Sequence, residues 1–277
     1  MTHIRVERRE GIGLLTIDRR ERFNSLDVRT AQDLRRAALQ LARDAATRVV
    51  VLRGTDGVFC SGVDLKYVRC GGAAEDLGYL QPEGAGESGG PGAVFKQTLE
   101  YLNGAIFEIR RAPKPVLAAV DGVAAAGGLG IALCCDLVLA SGRASFEWAY
   151  GKTGLSGAES ATFFLPRWIG LGRAMHLALL SPRLDAEAAL RIGLVSELLP
   201  EEGFDAAVEA IARRLAALDP DSVARTKRLL NRAAGMDALE AHLGEEVEAL
   251  VSSADAPAFA EGLERFFRRR PPEGPGD

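Results

Sequence analysis

Hydrophobic positions in the first half of the chain change repeatedly between short apolar runs and a helical repeat. Residues 11–18 and 48–53 are apolar runs of strand length, and between them Leu34, Ala38 and Leu41 recur at helical spacing. The chain is therefore predicted to open as strand, helix, strand. Further extended runs follow at residues 115–122, 136–141 and 146–150. Strands that alternate with helices predict an α/β architecture.

The pattern changes after about residue 200, beyond which the apolar residues recur almost wholly at helical spacing. We therefore predict two regions, a core of residues 1–200 and a helical region of residues 201–277. Residues 71–92 are rich in glycine, proline and acidic residues, which predicts a surface segment rather than a packed element. This segment is either a plain insertion or a lid over an active site.

Composition and charge narrow the classes of partner. Hydrophobic residues make up 47% of the 277 residues and charged residues 26%, which is typical of a soluble globular protein. A net charge of −4 argues against nucleic acid as the main partner. The apolar stretches are shorter than the roughly 20 residues of a membrane span, and the histidines are too scattered for a metal site. Cysteines without a C-x-x-C pair, and a start without an apolar signal segment, predict a cytoplasmic protein.

One run of small residues indicates a site built from backbone. The sequence DGVAAAGGLGIALCCD occupies residues 121–136 and has acidic residues only at its two ends. Gly127 and Gly128 leave the backbone open to close approach by a ligand. The run is not a dinucleotide-binding fingerprint, because Leu133 stands where G-x-G-x-x-G requires glycine or alanine. Taken alone, the run predicts either close approach of a ligand to the backbone or close packing of a helix against a strand.

Two segments together resemble the paired signatures of the crotonase superfamily, also called the enoyl-CoA hydratase/isomerase family. They are VFCSGVDLK at residues 58–66 and AVDGVAAAGGLGIALCCDLVLAS at residues 119–141. The resemblance extends over most of the chain. It implies a crotonase-like spiral of ββα units with a C-terminal helical trimerisation region, and a homotrimer or dimer of trimers. It also implies an acyl-CoA thioester as substrate and no separate cofactor, since coenzyme A enters as part of that thioester.

The resemblance also implies an oxyanion hole made by two backbone amides. By matched position these belong to Val63 and Gly127, which would bind the thioester oxygen and stabilise the enolate formed during reaction. Hydratases of the family use two glutamates, and this sequence departs from them at both positions, which are Gly130 and Tyr150. If residues 146–150 form a strand, Glu147 points to the face opposite Tyr150 and does not substitute for either glutamate.

One acid remains in a position that the family uses. Glu159 matches a subgroup with a GLSG-x-acid pattern, while other relatives carry their carboxylate at the position of Ala158. A second interpretation is structural, because Ser156 and Glu159 have the spacing of a capping box before an apolar helix. As the single acid/base, Glu159 would support proton shuttling better than hydration. Apolar walls that raise its pKa are expected from Trp148, Tyr150, Phe163 and Phe164.

The remaining predicted contacts divide between coenzyme A and the acyl group. The coenzyme A side comprises Phe23, Ser25, Ser61, Asp64, Leu65 and Lys66, with Arg270 as a further candidate for a phosphate. The acyl side comprises Gly130, Trp148, Tyr150 and Ala158. The expected function is that of an acyl-CoA isomerase or lyase of fatty acid metabolism, with double-bond isomerisation favoured. The alternatives are a non-catalytic acyl-CoA-binding homologue and an aryl-CoA dehalogenase-like hydrolase, the latter without an aspartate nucleophile at Ala158.

Overall fold

The computed structural model describes residues 3–73, 76 and 90–268. The strands are β1 (Ile4–Arg9), β2 (Ile12–Ile17), β3 (Val49–Arg53), β4 (Val58–Cys60), β5 (Val116–Val120), β6 (Val123–Ala125), β7 (Leu137–Ser141), β8 (Ser145–Glu147), β9 (Leu184–Asp185) and β10 (Glu197–Leu199). The helices are α1 (Val28–Arg43), α2 (Leu65–Arg69), α3 (Pro91–Arg111), α4 (Gly127–Leu133), α5 (Ala161–Ile169), α6 (Leu171–Leu180), α7 (Ala186–Ile192), α8 (Phe204–Ala216), α9 (Pro220–Ala233), α10 (Leu239–Ala254) and α11 (Pro257–Arg268). Most of the predicted surface segment at 71–92 lies outside the described residues.

The strands form two sheets that the chain visits in turn. One has the order β1-β2-β3-β5-β7-β10 and the other the order β4-β6-β8-β9. Strands β3, β5 and β7 of the first sheet are parallel, and each is followed along the chain by one strand of the second sheet. The units around β3 and β5 each continue into a helix, α2 and α4. The predicted α/β class and ββα order are confirmed.

Strands β2, β3 and β5 of the first sheet are buried on both faces, which explains their continuous apolar runs. Helix α1 packs against helix α3. Its first turn is capped by Asp27, whose carboxylate accepts a hydrogen bond from the Thr30 amide at 2.8 Å. Helix α3 is not among the predicted elements, although its buried Val94, Thr98 and Leu102 repeat at helical spacing.

The last two helices, α10 and α11, pack against the core rather than apart from it. Helix α10 contacts α3, and α11 contacts a 3-10 turn at Tyr150–Thr153. The contact at α11 is close, because a Cβ on Gly262 would lie 2.7 Å from the Thr153 carbonyl oxygen. The C-terminal helices therefore reach the part of the core that holds the predicted acid. Within the ranges that the structure describes, no helix has the length and apolarity needed to span a bilayer.

The predicted strand at 146–150 is wrong in its second half. Strand β8 ends at Glu147, Ala149 has a left-handed φ of 55°, and Tyr150 starts the 3-10 turn. Alternation of side chains between two faces holds only within a strand. Which side Tyr150 faces therefore cannot be obtained by counting from Glu147.

Candidate active site

A cavity of about 460 Å³ opens beside the glycine run and collects most of the predicted site residues. The predicted residues that line it are Phe23, Ser25, Ser61, Val63, Asp64, Leu65, Lys66, Gly127, Tyr150 and Glu159. Gly130, Trp148 and Ala158 are buried and do not line it. Arg270 lies outside the described residues. The segments that carry the resemblance therefore come together around one space.

The two predicted amide donors lie on adjoining backbone segments. A Cβ on Gly62 would lie 2.9 Å from the Gly127 nitrogen, so the two segments are in contact. Gly62 also has a φ of 89°, which favours glycine. Val63 forms an isolated parallel bridge with Leu26, in which the Leu26 amide donates to the Gly62 carbonyl at 2.9 Å. Glycine at position 62 is thus required both by its conformation and by the approach of Gly127.

Neither predicted donor has an acceptor within the part of the chain that the structure describes. Among the hydrogen bonds of the described residues, the amides of Val63 and Gly127 donate to no acceptor. Gly127 is the first residue of α4, where backbone amides have no partner within the helix. The preceding Ala126 has φ 47° and ψ −122°, a sparsely populated conformation of the kind found at functional sites. Two unpaired amides on the cavity wall can bind a carbonyl or enolate oxygen.

Asp64 fixes the segment that carries Val63. Its carboxylate accepts hydrogen bonds from Arg19 at 2.9 Å and from Arg22 at 2.5 Å. It also accepts from two backbone amides at the start of α2, at 3.0 and 3.1 Å. Burial raises the pKa of this carboxyl, but Arg22 and these amides outweigh burial and hold the pKa below its usual value. The side chain predicted to contact coenzyme A is therefore already occupied as an anchor.

Glu159, the predicted acid/base, lies next to Gly127. Its residue is 1% exposed, and a Cβ on Gly127 would lie 2.8 Å from Cδ of Glu159. The carboxylate therefore lies directly against the residue that supplies one donor. Glu159 and Ser160 have φ values of 51° and 66°, so two successive non-glycine residues adopt left-handed conformations. Backbone strain of this kind persists only where the surroundings hold it in place.

The environment of Glu159 brings its pKa to the neutral range. Burial is the largest influence and raises the pKa from 4.5 to about 7. The Tyr150 hydroxyl, 2.5 Å from Oε2, opposes this by donating to the carboxylate, while the nearby Glu246 carboxylate adds to the increase. Burial and the Glu159 carboxylate hold the pKa of Tyr150 well above its usual value. Glu159 can therefore exchange a proton near neutral pH.

The capping interpretation of Glu159 is wrong. Helix α5 begins at Ala161, too late for Ser156 to cap it, and no side chain next to its start does so. Glu246 of α10 takes that role instead, since its carboxylate accepts from the amides of Ser160 at 2.8 Å and Thr162 at 3.0 Å. A cap supplied from 86 residues further along the chain leaves no local sequence signal.

The position of one family glutamate has no room for a side chain. A Cβ on Gly130 would lie 2.0 Å from the Glu159 carbonyl oxygen, which is backbone and cannot move aside cheaply. The ring of Trp148 packs edge-on against Tyr150 at 5.0 Å, behind the cavity wall. The carbonyl of Ala158 lies 3.0 Å from the Tyr150 hydroxyl. These three residues thus surround and support the acid rather than line the cavity.

Of the predicted apolar wall, Tyr150 lines the cavity and Trp148 lies behind it. Phe163 and Phe164 are buried in the core, beyond the cavity. Phe95 of α3 and Phe266 and Phe267 of α11 line the cavity instead. The helical spacing of α3 could have suggested Phe95 as a buried position. Nothing in the sequence alone places α11 against the core.

Glu147 also lies at the cavity, which corrects the prediction that it faces away from Tyr150. Because β8 ends at Glu147 and the chain then turns, both residues line the same space. The Glu147 carboxylate is paired with the ammonium group of Lys152, and the lysine is half exposed. Glu147 is therefore an acid at the cavity that already has a cationic partner.

Residues 7–274 match the family model for enoyl-CoA hydratase/isomerase. The chain belongs to this family. It is 37% identical to a probable enoyl-CoA hydratase of Rhodobacter capsulatus, over 99% of this chain and 98% of that protein. It is 31% identical to 4-chlorobenzoyl coenzyme A dehalogenase-2 of an Arthrobacter species, over 95% of this chain and 90% of that protein.

Solved structures of the family share the fold. The crystal structure of an enoyl-CoA hydratase from Mycobacterium avium subsp. paratuberculosis superimposes with a TM-score of 0.83 at 30% identity, and each chain is covered to 100%. The chain is thus an acyl-CoA enzyme of the hydratase/isomerase family. The names of its relatives cover more than one reaction, so membership of the family does not select the reaction.

Proposed function

We propose that the chain isomerises the double bond of an enoyl-CoA thioester, with Glu159 as the single acid/base. The observation that carries the proposal is the position of the Glu159 carboxylate against Gly127, in a cavity where its pKa is raised to about 7. A base at this place can reach a carbon next to a carbonyl whose oxygen is bound by the amides of Val63 and Gly127.

The reaction needs only the groups at the cavity. With a 3-enoyl thioester, the Glu159 carboxylate removes a proton from the carbon next to the carbonyl. The electron pair of the broken C–H bond is then delocalised onto the thioester oxygen. The amides of Val63 and Gly127 stabilise the resulting enolate. Glu159 then returns the proton to another carbon of the same conjugated system, which leaves the double bond displaced. No water is added, and the composition of the substrate does not change.

Hydration by two glutamates receives no support from the site. At position 130 the Glu159 backbone leaves no room for a side chain, and position 150 is a tyrosine that donates a hydrogen bond to Glu159. Glu147 lines the same cavity, but its carboxylate is paired with Lys152. One buried acid, such as Glu159, is suited to taking up and returning one proton.

The test is turnover of a panel of 2-enoyl- and 3-enoyl-CoA thioesters by the wild type and by Glu159→Gln. We expect the wild type to interconvert the two double-bond positions, with kcat/KM falling as the pH drops below about 7 and Glu159 becomes protonated. Glu159→Gln should lose about 10²- to 10⁴-fold in kcat, the usual contribution of an acid/base. Glu147→Gln is the matched control and should stay close to the wild-type rate, because its carboxylate is already paired.

The outcomes separate the alternatives. Acyl-CoA binding without product from any substrate would contradict the proposal and favour a non-catalytic homologue. Release of chloride from a chlorobenzoyl-CoA, with no movement of enoyl double bonds, would favour dehalogenation of the kind named for the Arthrobacter relative. Full activity of Glu159→Gln would remove Glu159 from the mechanism.

A further inference from the structure

Glu246 is a buried carboxylate outside the cavity that holds the turn carrying Glu159. It lies on α10 and is 4% exposed. Its oxygens accept hydrogen bonds from the Ser160 amide at 2.8 Å, from the Thr162 amide at 3.0 Å, and from the Thr162 hydroxyl. His242, one turn earlier on α10, lies 3.9 Å away and also contacts the Thr162 hydroxyl. The hydrogen bonds that Glu246 accepts therefore all come from residues just after Glu159.

The turn needs an external support. Glu159 and Ser160 are both left-handed, and the first turn of α5 has no cap from its own segment. Unpaired amides at a buried helix start are costly, so the carboxylate of Glu246 determines where this helix can begin. The position of Glu159 relative to Gly127 follows from that start.

We propose that Glu246 is a positioning residue for the reaction, through which the C-terminal helical region holds the Glu159 carboxylate against the amide of Gly127. The inference rests on the proposed function, because it concerns the acid named there. A misplacement of about 1 Å can cost about 10²-fold in rate, so the support of the turn is part of the catalytic machinery.

A residue that only caps α5 would act on stability alone, but Glu246 also acts on the charge of its neighbour. The titratable groups that influence Glu159 within the described residues are Tyr150 from the 3-10 turn, Cys60 from β4 and Glu246 from α10. His242 is the titratable group next to Glu246 on its own helix. Glu246 raises the pKa of Glu159, so removal of its charge should lower that pKa.

The experiment compares Glu246→Gln, Glu246→Asp and the control Glu245→Gln, which removes an exposed carboxylate from the same helix. We expect kcat of Glu246→Gln to fall by about 10- to 100-fold with little change in KM. The acid limb of its pH profile, the range in which kcat/KM falls as Glu159 becomes protonated, should move to lower pH. Glu246→Asp keeps the charge, so its acid limb should stay near that of the wild type while kcat falls less. Glu245→Gln should match the wild type in both respects.

A second readout does not depend on turnover. Infrared difference spectra between the wild type and Glu159→Gln identify the protonated carboxyl of Glu159, and the same difference in the Glu246→Gln background gives its titration. A titration shifted to lower pH supports the inference even if no substrate is turned over, in which case the proposed function alone fails. An unmoved titration and an unchanged kcat, with only a lower melting temperature, would overturn it. If Glu246→Gln does not fold, kcat of Glu246→Asp decides: a value equal to that of the wild type overturns the inference.

Discussion

The two walls of the cavity are built by different means. The amide wall, made of residues 58–66 and 121–133, uses backbone groups whose direction is set by short strands, tight turns and the start of α4. The carboxylate wall, made of residues 146–162, uses a strained turn whose acid depends on Tyr150 and on Glu246 of α10. A backbone donor is fixed by local geometry, whereas the direction and protonation of a carboxylate require partners from distant segments.

The strongest test of how the two walls meet is Gly127→Ala. The added Cβ would lie 2.8 Å from Cδ of Glu159, so the carboxylate must move away from the amide. Because reacting groups must be held close to their productive geometry, we expect kcat to fall by about 100-fold. Steady-state kinetics on the substrate identified in the panel measures this loss.

Gly172→Ala provides the matched control. Gly172 is a helical glycine of α6, and a Cβ there would meet nothing within 4 Å. Its activity should equal that of the wild type, with stability equal or slightly greater, since alanine favours helix. Equal kcat values for the two variants would show that the walls do not depend on each other at this point.

The next test, of smaller expected effect, removes the donor that stabilises the Glu159 carboxylate. Tyr150→Phe deletes a hydroxyl that lowers the pKa of Glu159, so that pKa should rise and the acid limb of kcat/KM should move to higher pH. A charge-assisted hydrogen bond predicts a loss of about 10-fold at neutral pH. This shift is opposite in sign to the one expected for Glu246→Gln. Tyr101→Phe, on α3 and outside the cavity, is the control and should leave the pH profile unchanged.

The last test concerns stability and the charge state of the Glu159 carboxylate. Folded Glu159 holds its proton up to a pKa of about 7, while the unfolded chain releases it near 4.5. Its contribution to stability is therefore complete below about pH 4.5 and is lost as the pH rises to about 7. Relative to the wild type, Glu159→Gln should therefore become more stable as the pH rises across this range, because its amide has no proton to release and no charge to bury. Thermal unfolding followed at several pH values tests this, and a difference between the two proteins that does not vary with pH would contradict it.

The sequence predicts the amide wall well because its requirements are local. Gly62 and Gly128 are needed where backbone approaches backbone, and Gly127 where the Glu159 side chain approaches; such glycines stand in the sequence as a fixed pattern. Strands β2, β3 and β5 were predictable for a similar reason, since burial on both faces leaves continuous apolar runs.

The carboxylate wall was predicted only in part. The position of Glu159 follows from its likeness to a family pattern, but its cap, its hydrogen-bonded partner and its apolar surroundings do not. The strand prediction for 146–150 extended too far because a run of aromatic residues reads as β-structure until Ala149 turns the chain. The remaining contacts come from helices α10 and α11, which carry Glu246, Phe266 and Phe267. The amphipathic pattern of these helices predicts that they pack, but not which elements they pack against.

The contact between Gly130 and the Glu159 carbonyl means that the two placements of an acid exclude each other. A glutamate introduced at position 130 would have to displace the backbone that presents the existing one. Conversion of this enzyme into a two-glutamate hydratase therefore needs a shift of the backbone at Glu159 as well as a new side chain at position 130. The two chemistries differ here in loop architecture and not only in the choice of side chain.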